Sequence, residues 1–130
     1  GTQATPRVLR VRVDSVDLAC DPGRMGYPDG VASQMEGGAI FALNSALNEE
    51  LTLENGRIVE GNFHEYPMMR MADAPRVRVH FGAVSGHERM SEVGESPMGP
   101  VPPALANAIF AATGTRVRSM PFRKQDLSWA

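Results

Sequence analysis

Between Arg7 and Val16 the chain alternates: Leu9, Val11 and Val13 fall on one side, Arg10, Arg12 and Asp14 on the other. Period-two alternation predicts a half-buried strand. Pro75 to Gly82 repeats the pattern, with Val77, Val79 and Phe81 opposite Arg76, Arg78 and His80, and predicts a second strand. Between the two the period changes. Val31, Met35, Ala39, Leu43 and Leu47 recur at helical spacing, and Asp29 stands where an N-cap belongs. Gly37 and Gly38 lie inside that helix. Each costs about 1 kcal/mol relative to alanine in a helix interior. The pair therefore marks either a tight helix–sheet contact or a ligand brought close to the backbone.

Leu51 to Gly61 reads as a hairpin, because Asn55-Gly56 fits a type I′ turn between apolar residues. Asn62 to Pro75 is an irregular connection, and Cys20 to Gly30 is a loop dense in Gly and Pro. Ala83 to Pro103 is a longer loop that leads into a second helix, Pro102 to Thr113, with Gly114 as its stop. Arg116 to Phe122 predicts a short last strand, and the tail to Ala130 a loosely held end. Together these elements predict an α+β fold: one domain over residues 1–130, a mixed or antiparallel sheet with two main helices packed on one side. There is no internal repeat and no low-complexity segment.

Composition narrows the function. A chain of 130 residues buries roughly two thirds of its unfolded surface, enough for a core. The net charge is −2, from 13 basic and 15 acidic side chains without a basic block. Neither a nucleic-acid partner nor polybasic membrane attachment has a footprint here. No apolar run approaches the roughly 20 residues of a membrane span. The opening GTQATPRVLRV carries no apolar signal core and enters a strand pattern at once, as though cut from something longer. Cys20 is the only cysteine, so no intrachain disulfide forms, and cytoplasm and periplasm both stay open.

Ordinary catalytic templates find little support. His64, His80 and His87 show no metal-ligand spacing, and a lone cysteine cannot build a cysteine cage. No side chain is therefore assigned to a metal. Cys20 reads as an inert, buried thiol, and Ser91 and Ser96 lack a nucleophile elbow. The MGYPDG loop is not a phosphate-binding glycine motif. Glu95 is different. Gly94 beside it removes steric cover, and Pro97, Pro100, Pro102 and Pro103 stiffen the adjoining segment. A general base needs a carboxylate held in place in this way. The helix start just beyond favours an anionic ligand such as a phosphate. Composition alone still favours an ordinary solvated glutamate.

The stretch VGESPMGPVPPALANAIFAATGTRVRSMPF, from Val93 to Phe122, resembles the C-terminal end of the large subunit of molybdenum hydroxylases, the xanthine dehydrogenase and aldehyde oxidase family. It looks closest to the isoquinoline 1-oxidoreductase type. PDGVASQMEGGAIFAL is similar to that family's glutamine-containing helix, and NFHEYPMMRMADAPRVRVH to its connection into a strand. These blocks occur in the family's order and cover residues 7–122.

The resemblance implies hydroxylation of an electron-poor carbon in an N-heterocycle or aldehyde, with water as oxygen source. It implies molybdopterin, in bacteria often the cytosine dinucleotide form, as cofactor. Glu95 matches the active-site glutamate that takes a proton from the attacking hydroxyl. Gln34 matches a cofactor-contacting glutamine, and Gly94 keeps the loop narrow beside the metal. The lead-in Met90-Ser91-Glu92 replaces the family's glycine-rich one, and Glu92 adds a carboxylate that would alter local pKa values. Tyr27-Pro28 and Asp21-Pro22-Gly23 also depart from the usual Asn-Pro and Asp-Cys-Gly.

A complete large subunit is several times longer. The expectation is an excised or separately encoded piece, without turnover alone, that works with the remainder of the molybdopterin-binding subunit and an iron–sulfur subunit. The alternative is a stand-alone structural or binding module that keeps the fold without catalysis, self-associating through uncovered apolar surface.

Overall fold

The structure, a computed structural model, describes residues 11–82 and 89–125. The start of the Arg7–Val16 alternation, His87 and the tail after residue 125 lie outside the described residues. The first strand, β1, runs Ser15–Cys20, later than the alternation predicts. The parity of the pattern changes between Val13 and Val16, and the ladder follows the later register of Val16, Leu18 and Cys20. Val11 and Val13 still pack against the core, from outside the ladder.

The first helix, α1, spans Pro28–Leu47. It begins earlier than an Asp29 cap requires. Pro28 takes the first helical position, Tyr27 is the N-cap, and no side chain caps the end. Proline's fixed φ and missing N–H suit that first position. The buried stripe of α1 comprises Met35, Gly38, Ala39, Ala42, Leu43, Asn44 and Ala46.

Two short strands, β2 (Leu53–Glu54) and β3 (Arg57–Ile58), form the predicted hairpin. Asn55 and Gly56 take positive φ of 49° and 77°, as a type I′ turn demands. The connection after β3 contains two single-turn 3₁₀ helices, Phe63–Glu65 and Met71–Asp73. The strand β4, Arg76–Phe81, then pairs in parallel with β1, Ser15 opposite Arg76 and Cys20 opposite Phe81. One parallel and one antiparallel pair make the strand directions mixed, within the α+β class.

A 3₁₀ turn over Ser96–Met98 precedes the second helix, α2, Val101–Thr113. Gly114 closes α2 in the left-handed region at φ 74°, its N–H donating to Phe110 O. No strand forms over Arg116–Phe122. Val117 and Phe122 instead anchor an irregular segment to the core, and Pro121 offers no N–H to a ladder.

The core draws on every layer: Leu18 from β1, the α1 stripe, Val101, Leu105 and Ile109 from α2, and Val117 and Phe122. Val77 and Val79 of β4 back it from the sheet. The opposite face of the β1–β4 pair is polar. There Arg78 grips Asp17 through Nε and Nη2, both at 2.7 Å, and His80 Nε2 lies 2.9 Å from Asp17 Oδ1. These partners hold the Asp17 carboxyl well below the usual carboxylate range.

Candidate functional site

Gln34 lies on α1 one turn before Gly38, so both face the same way. The loop that carries Glu95 settles onto that face. A Cβ built on Gly38 would stand 2.7 Å from Gly94 O and 3.1 Å from Pro97 Cγ and Cδ. One built on Gly94 would stand 3.5 Å from Gln34 Oε1. Pro97 is fully buried by this contact, while Gly94 and Glu95 remain exposed on the rim beside exposed Gln34. Gly94 thus meets Gln34 at one edge of α1, and exposed Glu95 follows Gly94 in the same loop.

The Gly37-Gly38 pair predicts a tight helix–sheet contact or a close ligand; the contact in the structure is of neither kind, and only one glycine makes it. Gly38 meets the loop, not a sheet. Nothing lies within 4 Å of a Cβ at Gly37.

Glu95 caps the 3₁₀ turn, and its carbonyl accepts from Met98 N at 2.9 Å. Ser96 Oγ donates to Glu92 O at 2.7 Å. Glu92 is exposed two residues before Gly94 and widens the acidic rim. Upstream, the lead-in is tied to the loop after β1. Gly23 and Met90 form an antiparallel bridge, and Ser91 N donates to Pro22 O at 3.0 Å. Asp21-Pro22-Gly23 and Met90-Ser91, two separate departures from the family's pattern, are thus each other's partners. No local sequence signal pairs them, because the bridge joins two loops.

Other candidates sit elsewhere. His64 is exposed in the first 3₁₀ turn of the connection, and His80 belongs to the Asp17 cluster. Among the described residues no three His, Cys, Asp or Glu side chains converge as a metal site. Cys20 is half-buried rather than fully enclosed, and burial followed by the Asp21 charge pushes its thiol pKa up. Among the described residues no helix is long and apolar enough to cross a membrane.

A second region contrasts with this edge. A concavity of about 400 Å³ is lined by Leu51, Glu60, Gly61, Asn62, Phe63 and Tyr66, and holds none of Gln34, Gly94 and Glu95. Thr52 N donates to Glu60 Oε2 at 2.7 Å, and this bond lowers the Glu60 pKa. Its half-buried setting, then the Glu49 carboxylate, raises the Tyr66 phenol. Phe63, at its wall, is 96% exposed, and Met71, further along the same connection, 94%.

Asn44 joins this region to α1. It is the buried polar residue of the helix. Its Oδ1 accepts from Met69 N at 2.6 Å and from Asn48 Nδ2 at 3.1 Å, and its Nδ2 donates to Glu49 Oε1 at 2.5 Å. Its position on the core stripe, one residue from Leu43, is the signal in the sequence that marks it.

Comparison with known proteins shows the chain's family. Residues 5–75 match the family described as the molybdopterin cofactor-binding domain. The chain is 39% identical over 111 residues to the beta subunit of isoquinoline 1-oxidoreductase from Brevundimonas diminuta, covering 85% of this chain and 14% of that protein. Against a nicotinate dehydrogenase subunit of Pseudomonas putida it is 33% identical over 115 residues, covering 88% and 10%. The crystal structure of quinoline 2-oxidoreductase from Pseudomonas putida 86 superposes with a TM-score of 0.76 at 24% identity, over 88% of this chain and 16% of that one. That likeness speaks to the fold. The chain spans 10% to 17% of the length of these curated relatives and of an Escherichia coli aldehyde oxidoreductase subunit.

Proposed function

The chain belongs to the molybdopterin cofactor-binding domain family, and on that premise we propose that it forms the part of a molybdenum-dependent hydroxylase that offers Glu95 as general base. The observation that carries this reading is the seating of Gly94, the residue before exposed Glu95, against exposed Gln34. The chemistry of that edge fits the cofactor. An amide that both donates and accepts suits the polar rim of a pterin. A carboxylate next to a glycine can approach a metal that the pterin carries. Exposure of both in this chain suits a group held largely by further polypeptide.

When bound, the molybdenum–pterin group supplies the two-electron oxidation, with water as the source of oxygen. The chain's residues do the rest. Gln34 orients the pterin edge, and the clamped loop fixes the Glu95 carboxylate. Glu95 would act as the general base, its carboxylate taking a proton from the attacking water. The substrate class is an N-heterocycle or an aldehyde, in keeping with relatives named for isoquinoline, nicotinate and aldehyde oxidation. The cofactor form is the cytosine dinucleotide. The partners are the remaining molybdopterin-binding polypeptide and an iron–sulfur subunit, and the chain alone does not turn over.

Glu95→Gln in the complete enzyme tests the base. Turnover falls about 10²- to 10⁴-fold with molybdopterin content unchanged. Near-normal turnover overturns the assignment.

The exposed Phe63 and Met71 favour a second reading, a binding module that associates with itself through this apolar surface. Sedimentation across a concentration series separates the two; a monomer throughout removes the second.

A further inference from the structure

We propose that Gly38 is the positioning residue for Glu95: the absence of a side chain there sets how deeply the Gly94–Glu95 loop sits on α1. The inference rests on the proposed role of Glu95 only for its catalytic consequence. The geometry is independent of it. With no Cβ at Gly38, an α-hydrogen points at Gly94 O, and the Pro97 ring lies flat against the same spot. A methyl group there would meet Gly94 O at 2.7 Å, closer than a real Cβ approaches an atom. The obstacle is backbone, so no rotamer relieves it. The loop must lift or the Gly94–Glu95 peptide must turn, and either moves the carboxylate.

The loop has little freedom to do this quietly. Downstream it is pinned by buried Pro97 and by Met98 N on Glu95 O. Upstream it is tied by the Gly23–Met90 bridge and by Ser91 N on Pro22 O. The same face of α1 carries Gln34 against Gly94. One helix turn therefore fixes both the amide and the carboxylate of the edge, and Gly38 is its floor. Gly37 supplies an internal control, because an added Cβ there enters open space.

The test compares Gly38→Ala with Gly37→Ala in the full chain by NMR. In Gly38→Ala the amide signals of Gly94, Glu95, Ser96 and Met98 move, and Met98 N–H exchanges about tenfold faster as its local opening becomes easier. In Gly37→Ala these signals stay. Pro97→Ala, which adds no heavy atom and leaves α1 intact, also speeds Met98 exchange, and serves if Gly38→Ala does not fold. Unmoved loop signals in Gly38→Ala, or unchanged Met98 exchange in Pro97→Ala, overturn the proposal.

In the complete enzyme Gly38→Ala lowers kcat about 100-fold, the scale of a misplacement near 1 Å, with KM and the pH profile kept and Gly37→Ala near normal. If Glu95→Gln leaves turnover intact while the loop signals still move in Gly38→Ala, the base assignment fails and the positioning geometry stands.

Discussion

At the edge where Gln34 meets the Gly94–Glu95 loop, contact is made by removing atoms. Gly38 has no side chain, Pro97 fills the space, and two loops are laced together by backbone hydrogen bonds. The hairpin side, from Leu51 to Met71, does the opposite. It has large side chains and leaves them outside: Leu53 is 68%, Phe63 96% and Met71 94% exposed. It is held to the rest of the molecule by Asn44 on Met69 N and by the Met69 side chain against the core. The first region is fixed tightly and presents polar groups; the second is fixed at few points and presents apolar ones. A tight seat suits chemistry that needs placement, and exposed apolar side chains suit a surface awaiting cover. Exposed apolar side chains and the candidate edge thus lie in different parts of the molecule.

The contrast can be broken most severely at its shared foundation. Leu43, 1% exposed, lies in the α1 stripe under both regions. Leu43→Ala removes about 2–5 kcal/mol of stability, read by denaturant unfolding; a loss under about 1 kcal/mol would mean that α1 is not the common base. Asn44→Ala is the selective cut. It leaves Met69 N without its partner and costs about 1–3 kcal/mol. Amide exchange then rises at Met69 but not at Met98, and a rise at both would show that the regions open as one. The smallest effect belongs to Phe63→Ser, which changes stability by no more than about 0.5 kcal/mol. It lowers self-association in sedimentation if the apolar side is the associating face. A loss of several kcal/mol would show that Phe63 is already packed.

Much of the architecture is legible in the sequence where the signal is local. Asn55-Gly56 announces the hairpin and Gly114 the end of α2 because left-handed φ leaves few residue choices. The β4 alternation is legible because one face is buried and one is solvated. The features that escape are long-range. The start of β1 is misread because Val11 and Val13 share an apolar pattern with the strand but have no ladder partner, and only β4 decides which residues pair. The short last strand expected over Arg116–Phe122 does not form, and its residues join the core as an irregular segment. At the candidate site, Glu95, Gln34 and Gly94 are visible through resemblance to a family, whereas the Gly23–Met90 bridge is not, because nothing in either loop names the other.

The direction of β4 settles where the polar groups of the molecule can gather. Because it runs parallel to β1, the polypeptide leaves both ladders at the same end, beside Cys20 and Phe81. The segment leading to Gln34 and the segment leading to Glu95 therefore depart from one rim, the kind of rim outside strand carboxyl ends where open α/β sheets commonly receive ligands. Reversing a six-residue strand would launch the second segment from the far end, about 20 Å away at roughly 3.3 Å per residue. Strand polarity, a property no side chain carries, starts both segments from one rim despite their distance in sequence.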